Sequence, residues 1–224
     1  MKVAIVGAGR IGGNAGRQFA SAGHEVFVSY SRDPDALRSF AEEIGAHAGR
    51  PSEAVAFADV VVFSVPWRLI DEVIPQLGSL DGKVVIDTTN QFGPSGVESF
   101  PSGETAALRN QARMPGARLV KAFNTLTSAF QAEVATRAVG ERPAMFFCGD
   151  DSAAKAAAAE LIAAAGFVPV DVGGLADAAI LEAPRRDGAV YGEEYRPDDA
   201  RRIAVALRED PAAAAALALE LRVA

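Results

Sequence analysis

The chain has 224 residues, of which 50% are hydrophobic, and its 22 basic and 29 acidic residues give a net charge of −7. This length is enough to bury one sizeable core, but not enough for two large independent domains. The acidic balance argues against nucleic acid or an anionic membrane as a partner and leaves a small molecule as the expected one.

The usual reactive side chains are scarce, because the chain has two histidines and one cysteine. A single cysteine cannot form an internal disulfide, and three such residues scattered along the chain do not build a zinc site. The apolar runs are too short for a signal peptide or for the roughly 20 residues that span a bilayer. We therefore expect a cytoplasmic protein in which any chemistry depends on a bound group.

Short apolar runs alternate with longer helical patterns along the chain. Most of these runs are continuously apolar, which is typical of strands buried on both faces of a parallel sheet. The alternation predicts an α/β fold of the Rossmann type, a doubly wound and mostly parallel sheet with a small C-terminal α/β extension. The predicted strands are 3–6, 25–29, 60–64, 84–87, 119–123, 144–148 and 168–171.

Capping residues mark several helix starts. Asp33-Pro34 and Asp210-Pro211 each combine an N-cap with a first-turn proline, and Asp151-Ser152 precedes an alanine-rich helix over 153–165. Two further helices are predicted at 198–208 and 211–222. Segments rich in glycine, proline and charge predict long loops at 88–103 and 183–197. We place a nucleotide-binding domain at 1–140 and a small subdomain at 141–224, although strand 144–148 could also continue the first sheet.

The strongest motif is a glycine loop that directly follows the first predicted strand. The segment Gly7, Ala8, Gly9, Arg10, Ile11, Gly12 fits G-x-G-x-x-G and opens an amphipathic helix, which is the context that dinucleotide binding requires. The first glycine permits the turn, the second admits a pyrophosphate, and the third lets helix and strand pack closely. The helix N-terminus adds free N–H groups and a partial positive charge. A glycine turn without a ligand is the alternative.

The end of the second strand indicates which dinucleotide is bound. An NAD site normally has an acidic residue there for the ribose 2′-hydroxyl. This chain instead has Ser29, Tyr30, Ser31 and Arg32. An arginine and serine hydroxyls can hold a 2′-phosphate, so the pattern favours NADP(H). The alternative is a solvated arginine, or one paired with Asp33.

Other candidates follow from the rule that ligands bind beyond the carboxyl ends of the strands. These neutral groups suit the orientation of a carboxamide and a ring better than proton transfer. Each has a structural alternative as a helix start, a core residue, a dimer contact or a turn residue. The candidates for binding are Val65, Pro66, Trp67 and Asn90, and those for orienting the nicotinamide are Asn90, Asn124 and Thr125. No metal site and no acid-base catalyst are expected.

With these residues the chain resembles the NADPH-dependent oxidoreductases related to coenzyme F420:NADP reductase. The resemblance covers about residues 1–182. The segments that carry it are 2–12, Gly23 to Val26, Ser31-Arg32, Val65 to Trp67, Asp87 to Asn90, Val120 to Thr125, Gly149 to Asp151 and Gly166 to Asp171. It implies a homodimer that passes a hydride between the nicotinamide and the deazaflavin ring of F420. It also implies that Ala8 to Ile11 cradle the pyrophosphate and that Ser31 and Arg32 hold the 2′-phosphate.

Three functions remain open from the sequence. The first is NADP(H)-dependent hydride transfer to or from F420, whose anionic tail needs a local basic patch such as Arg185-Arg186. The second is reduction of another acceptor, namely a flavin, a ferric chelate, an imine or a carbonyl compound. The third is a non-catalytic NADPH-binding sensor. The larger reductases that share the opening motif continue into a long helical domain, for which about 40 residues after 182 are too few. Residues 183–224 also depart from the short C-terminus expected of the resemblance.

Overall fold

The computed structural model describes residues 1–223 and contains an eight-stranded sheet, a two-stranded hairpin and the helices that flank them. The strands are β1 (Lys2–Val6), β2 (Glu25–Ser29), β3 (His47–Gly49), β4 (Val60–Phe63), β5 (Val84–Asp87), β6 (Phe92–Gly93), β7 (Gly96–Val97), β8 (Arg118–Lys121), β9 (Ala144–Gly149) and β10 (Val168–Asp171). The helices are α1 (Arg10–Ser21), α2 (Pro34–Ile44), α3 (Pro51–Phe57), α4 (Ile70–Val73), α5 (Ala106–Arg113), α6 (Ser128–Val134), α7 (Ser152–Ala164), α8 (Pro197–Glu209) and α9 (Pro211–Glu220).

The order of the strands in the large sheet is β10-β9-β8-β5-β4-β1-β2-β3. From β1 the chain first moves outward through β2 and β3, then returns and continues on the other side through β4, β5 and β8. The sheet therefore has a topological switch point between β1 and β4, which is where open α/β sheets bind their ligands. The predicted fold class, a Rossmann-type and mostly parallel sheet, is confirmed.

Strand β9 pairs with β8 in the antiparallel direction, and β10 then pairs with β9 in parallel. The strand predicted at 144–148 thus continues the first sheet, which was the alternative left open by the sequence. The division into domains 1–140 and 141–224 remains a prediction.

The central strands are apolar throughout because the sheet is covered on both faces. In β1, Ala4 and Val6 belong to one core cluster, while Val3 and Ile5 belong to the other. All four are fully buried. Since alternate side chains of a strand point to opposite faces, two buried faces require a continuous apolar run.

Three short strands were missed by the sequence analysis. Strand β3 pairs with β2 over only three residues at the sheet edge, where a run of apolar residues is not needed. Its His47 packs against Phe27 and Phe57, with ring centroids 5.9 and 5.5 Å apart. The other two form the hairpin β6–β7 inside the predicted loop 88–103, turning at Gly96 with φ +117°.

The predicted helix caps are confirmed. Asp33 Oδ1 accepts from the amides of Asp35 and Ala36, and Asp151 Oδ1 accepts from Ala154 N. Asp210 Oδ1 likewise accepts from Ala212 N at the start of α9. None of the helices within residues 1–223 combines the length and the hydropathy needed to cross a bilayer.

Candidate functional site

The glycine loop between β1 and α1 is tightly packed at two of its three glycines. Gly7 has φ +96°, and a Cβ there would lie 2.3 Å from the carbonyl oxygen of Ser64. A Cβ on Gly12 would lie 2.2 Å from the carbonyl oxygen of Gly7. Both positions therefore require glycine, the first for its backbone conformation and the second for close packing of the helix on the loop.

Gly9 is the glycine that leaves space. A Cβ built on it meets no atom within 4 Å. It is the N-cap of α1 and offers no side chain to the first helical N–H groups. Unpaired N–H groups beside open space are the arrangement that binds phosphate at a helix N-terminus.

A cleft of about 610 Å³ lies against this loop at the carboxyl ends of β1, β2 and β4. It brings together residues from three separate segments of the sequence. The predicted binding residues that line it are Gly7, Ala8, Gly9, Ser31, Arg32 and Pro66.

Arg32 is exposed at the lip of this cleft. Asp33 caps α2 through its Oδ1 and does not form an ion pair with Arg32. Among residues 1–223, no ion pair includes Arg32. The hydroxyl of Ser31 accepts a hydrogen bond from Asp33 N at 3.1 Å and keeps its own proton to donate.

The cleft is also lined by residues that the sequence analysis did not predict to bind, among them Tyr30, Arg68 and Glu72. Arg68 and Glu72 follow β4 and line the cleft opposite Arg32. Tyr30 has φ +59°, and its hydroxyl lies 3.4 Å from Glu72 Oε1. Burial, followed by the nearby Glu72 carboxylate, raises the pKa of Tyr30. Arg68 could have been predicted as a cleft residue, because it lies shortly after the end of a strand.

Tyr30, Ser31 and Glu72 also line a second cleft of about 460 Å³, which extends toward α2 and α3. The two clefts are thus neighbours that share these residues at the end of β2.

Other predicted binding residues do not line the cleft. Ser29 is fully buried, and its hydroxyl donates to the carbonyl oxygen of Ile5. Val65 is buried behind the loop. Trp67 lies in the core with its Nε1 donating to Glu98 Oε2 at 2.9 Å. Arg10, Ile11 and Gly12 lie in the first turn of α1, and Asn90 also lies outside the cleft lining.

Asn90 and Asn124 lie together, just beyond the ends of the paired strands β5 and β8. Asn90 Nδ2 donates to the backbone oxygen of Asn124 at 2.8 Å, and Asn124 Nδ2 donates to Asn90 Oδ1 at 3.2 Å. Both also hold the segment 181–183, because Asn124 Nδ2 donates to Leu181 O and Asn90 Oδ1 accepts from Ala183 N. Thr125 Oγ1 is buried, 3.6 Å from Met145 Sδ.

A buried charged network supports the same loop, and the sequence analysis did not identify it. Lys121 and Asp87, at the ends of β8 and β5, are both fully buried, with Nζ 2.9 Å from Asp87 Oδ2. Lys121 Nζ also donates to the backbone oxygen of Thr89. Asn110 of α5 donates to Asp87 Oδ2 and to Thr89 Oγ1. A lysine within the otherwise apolar run 119–123 was the available signal.

Cys148 lies on β9 inside the core, and burial raises the pKa of its thiol well above the ordinary range. It is an inert core residue rather than a nucleophile. Within residues 1–223, no group of three histidine, cysteine, aspartate or glutamate side chains is placed to hold a metal ion.

Several known proteins are similar to this chain in sequence or in structure. Residues 2–91 match the family model described as NADP oxidoreductase, coenzyme F420-dependent. A hypothetical protein of Sinorhizobium meliloti has a similar structure, with a TM-score of 0.73 and 32% identity over 83% of this chain and 92% of that one.

Two further proteins are similar at lower identity. A protein of Arthrobacter sp. FB24, assigned as an F420-dependent NADP reductase, gives a TM-score of 0.68 and 26% identity over 80% of this chain and 87% of that one. The metalloreductase STEAP3 of Rattus norvegicus is 29% identical over 182 residues, which are 81% of this chain. The chain spans 36% of the length of that curated relative.

Proposed function

Residues 2–91 of this chain belong to the NADP oxidoreductase family described as coenzyme F420-dependent, and we propose that the chain transfers a hydride between NADP(H) and the deazaflavin ring of coenzyme F420. The observation that carries the proposal is the cleft that joins the glycine loop to Ser31 and Arg32. It offers N–H groups for a pyrophosphate and an arginine without an ion-pair partner in residues 1–223 for a 2′-phosphate.

The residues present fit this cofactor. In the proposed complex, Ala8 to Ile11 cradle the pyrophosphate while Ser31 and Arg32 hold the 2′-phosphate. Arg68, on the opposite wall, supplies a second positive charge to the same cleft. The cofactor supplies the hydride chemistry, and the protein supplies orientation and exclusion of water. No acid-base side chain is needed for that step.

The nicotinamide half is assigned to the ends of β4, β5 and β8. The phosphate-binding end lies at β2, on the other side of the switch point from these strands. A dinucleotide laid across the glycine loop therefore reaches Asn90 and the strand ends beside it. Asn90, Asn124 and Thr125 remain the candidates that shape this part of the site, chiefly by holding its walls.

The anionic tail of F420 requires a basic surface, and Arg185-Arg186 are poorly available for it. Arg185 Nε is 2.7 Å from Glu193 Oε1, and Arg186 donates to the backbone oxygens of Ala179, Glu182 and Pro184. Since Arg32 is assigned to the 2′-phosphate, the exposed Arg68 at the cleft is the better source of positive charge.

Reduction of a ferric chelate or a flavin is the second candidate. It is favoured by the similarity to a metalloreductase over 81% of this chain. We also propose a homodimer in the cytoplasm, supported by the family resemblance.

An acceptor panel tests the proposal. NADPH is mixed with the protein and with F420, a free flavin, a ferric chelate or an imine in turn, and the absorbance of both partners is followed. Loss of F420 absorbance at the rate of NADPH oxidation is the expected result. Turnover with only another acceptor would reject F420, and NADPH binding without any turnover would favour a sensor.

A further inference from the structure

The loop after β5 connects the core to the proposed nicotinamide end of the site. It runs from Thr88 to Gln91 and presents Asn90 at the carboxyl edge of the sheet. Its position within that edge must be accurate, because hydride transfer depends on the separation and alignment of two rings.

Thr89 is the fixed point of this loop. Its amide donates to Asp87 Oδ1 at 2.9 Å, and its carbonyl oxygen accepts from Lys121 Nζ. Its hydroxyl accepts from Asn110 Nδ2 at 3.0 Å. All three polar groups of the residue before Asn90 are therefore held by buried side chains on β5, β8 and α5.

Lys121 is the member of this network whose presence is least explained by a contribution to stability. Its side chain is fully buried, and so is that of Asp87. Removing two charges from water is costly, and a buried ion pair is commonly no more stable than an apolar pair of the same volume. A lysine here has one property that an apolar residue lacks, namely that it donates to Asp87 and to the Thr89 carbonyl at once.

We infer that Lys121 is a positioning residue, which sets the nicotinamide end of the site by fixing Thr89 and thereby the Asn90–Asn124 pair. The inference rests on the proposed function, since it concerns where the nicotinamide half of NADPH is held. It predicts that loss of Lys121 affects the nicotinamide half of the cofactor and leaves the 2′-phosphate half unaffected.

The test compares two probes that share the 2′-phosphate half. NADPH contains the nicotinamide, whereas adenosine 2′,5′-bisphosphate lacks it. The main variant is the double substitution Lys121→Met with Asp87→Asn, which removes both charges and so avoids an unpaired buried carboxylate. The control is Lys155→Met, which breaks the ion pair between Lys155 Nζ and Asp171 Oδ2, 2.8 Å apart, at the β10 end of the sheet.

In the double variant we expect adenosine 2′,5′-bisphosphate to bind as in the wild type and NADPH to bind about tenfold more weakly. Turnover with F420 should fall about 100-fold, the loss associated with displacement of a reacting group by about 1 Å. The Lys155→Met variant should retain both affinities and the turnover. An unchanged ratio of the two affinities in the double variant would overturn the inference.

Two further outcomes keep the inference separate from the proposed function and from folding. If the wild type binds neither probe, the proposed function fails, whatever the variants do. If the double variant does not fold, the more conservative double substitution Lys121→Gln with Asp87→Asn tests the same loop with polar groups kept at both positions, and NADPH should bind about threefold more weakly with adenosine 2′,5′-bisphosphate unchanged. An unchanged ratio of the two affinities in that variant would then overturn the inference.

Discussion

Asn90 and Asn124 bind each other through two hydrogen bonds, from Asn90 Nδ2 to Asn124 O at 2.8 Å and from Asn124 Nδ2 to Asn90 Oδ1 at 3.2 Å. The pair joins the loops that follow β5 and β8. Because Asn124 Nδ2 also donates to Leu181 O, it connects both loops to the C-terminal part of the chain. The amides that sequence reasoning assigned to the cofactor are thus partly used to hold the walls of the site.

Replacement of Asn124 by aspartate should destabilise the fold more than replacement by alanine. Both changes remove two buried hydrogen bonds, at about 1 kcal/mol each. Aspartate also places an oxygen against the oxygens of Asn90 and Leu181. We expect losses of about 2 kcal/mol for Asn124→Ala and about 4 kcal/mol for Asn124→Asp at neutral pH. Urea unfolding measures both, and an aspartate variant as stable as the alanine variant would contradict the assignment of Nδ2.

Arg32→Ala should weaken NADPH binding and leave NADH binding nearly unchanged. The lost contact is a charge-assisted pair with the 2′-phosphate, which NADH does not have. The expected loss is about 10- to 100-fold in affinity for NADPH. Arg17→Ala is a matched control, since Arg17 pairs with Glu43 on the surface. Equal losses of affinity for both cofactors, measured by fluorescence titration, would show that Arg32 does not bind the 2′-phosphate.

Gly9→Ala should abolish tight NADPH binding without destabilising the protein. Its Cβ meets no protein atom within 4 Å, so the methyl group would occupy the space proposed for the pyrophosphate. Gly13→Ala is the control, because its Cβ would make only ordinary contacts, at 3.5 Å from the oxygen of Ala8. It should raise stability by up to about 1 kcal/mol through helix propensity and keep NADPH affinity. Wild-type affinity in Gly9→Ala would place the pyrophosphate elsewhere.

Ionisation of Tyr195 should make the protein less stable at alkaline pH. Its hydroxyl donates to the backbone oxygen of Ala218 at 2.7 Å, and burial raises the pKa of Tyr195 to about 12. The raised pKa means that the folded state keeps the proton longer than the unfolded state. The contribution is therefore complete below pH 10 and is lost between pH 10 and 12, by roughly 2–3 kcal/mol.

The measurement is the difference in free energy of unfolding between the wild type and Tyr195→Phe. The variant lacks the phenol and should lose less stability than the wild type over this pH range. At neutral pH it should be about 1 kcal/mol less stable, because the bond to Ala218 is missing. Parallel pH profiles of the two proteins would show that Tyr195 does not titrate with folding.

Much of the fold could be predicted because its signals are local. Continuous apolar runs marked the buried strands, and Asp33, Asp151 and Asp210 marked helix starts that the structure confirms. The edge strand β3 and the hairpin β6–β7 were missed, since strands of two or three residues with few buried side chains carry little periodicity.

The sequence by itself determined the glycine loop between β1 and α1. The turn at Gly7, the close approach of Gly12 to the carbonyl oxygen of Gly7 and the missing side chain at Gly9 involve residues that are neighbours in the chain. Backbone conformation of this kind depends on the presence or absence of a Cβ, which can be read from a motif.

Only the tertiary structure decided which polar side chains face the cleft and which form hydrogen bonds within the protein. Arg68 faces the cleft, Lys121 holds Thr89, and Asn90 and Asn124 hold segment 181–183. These relationships join residues 32 to 93 positions apart. A hydrogen bond requires a donor and an acceptor within about 3 Å, and the chain spacing of such residues contains no information on that distance.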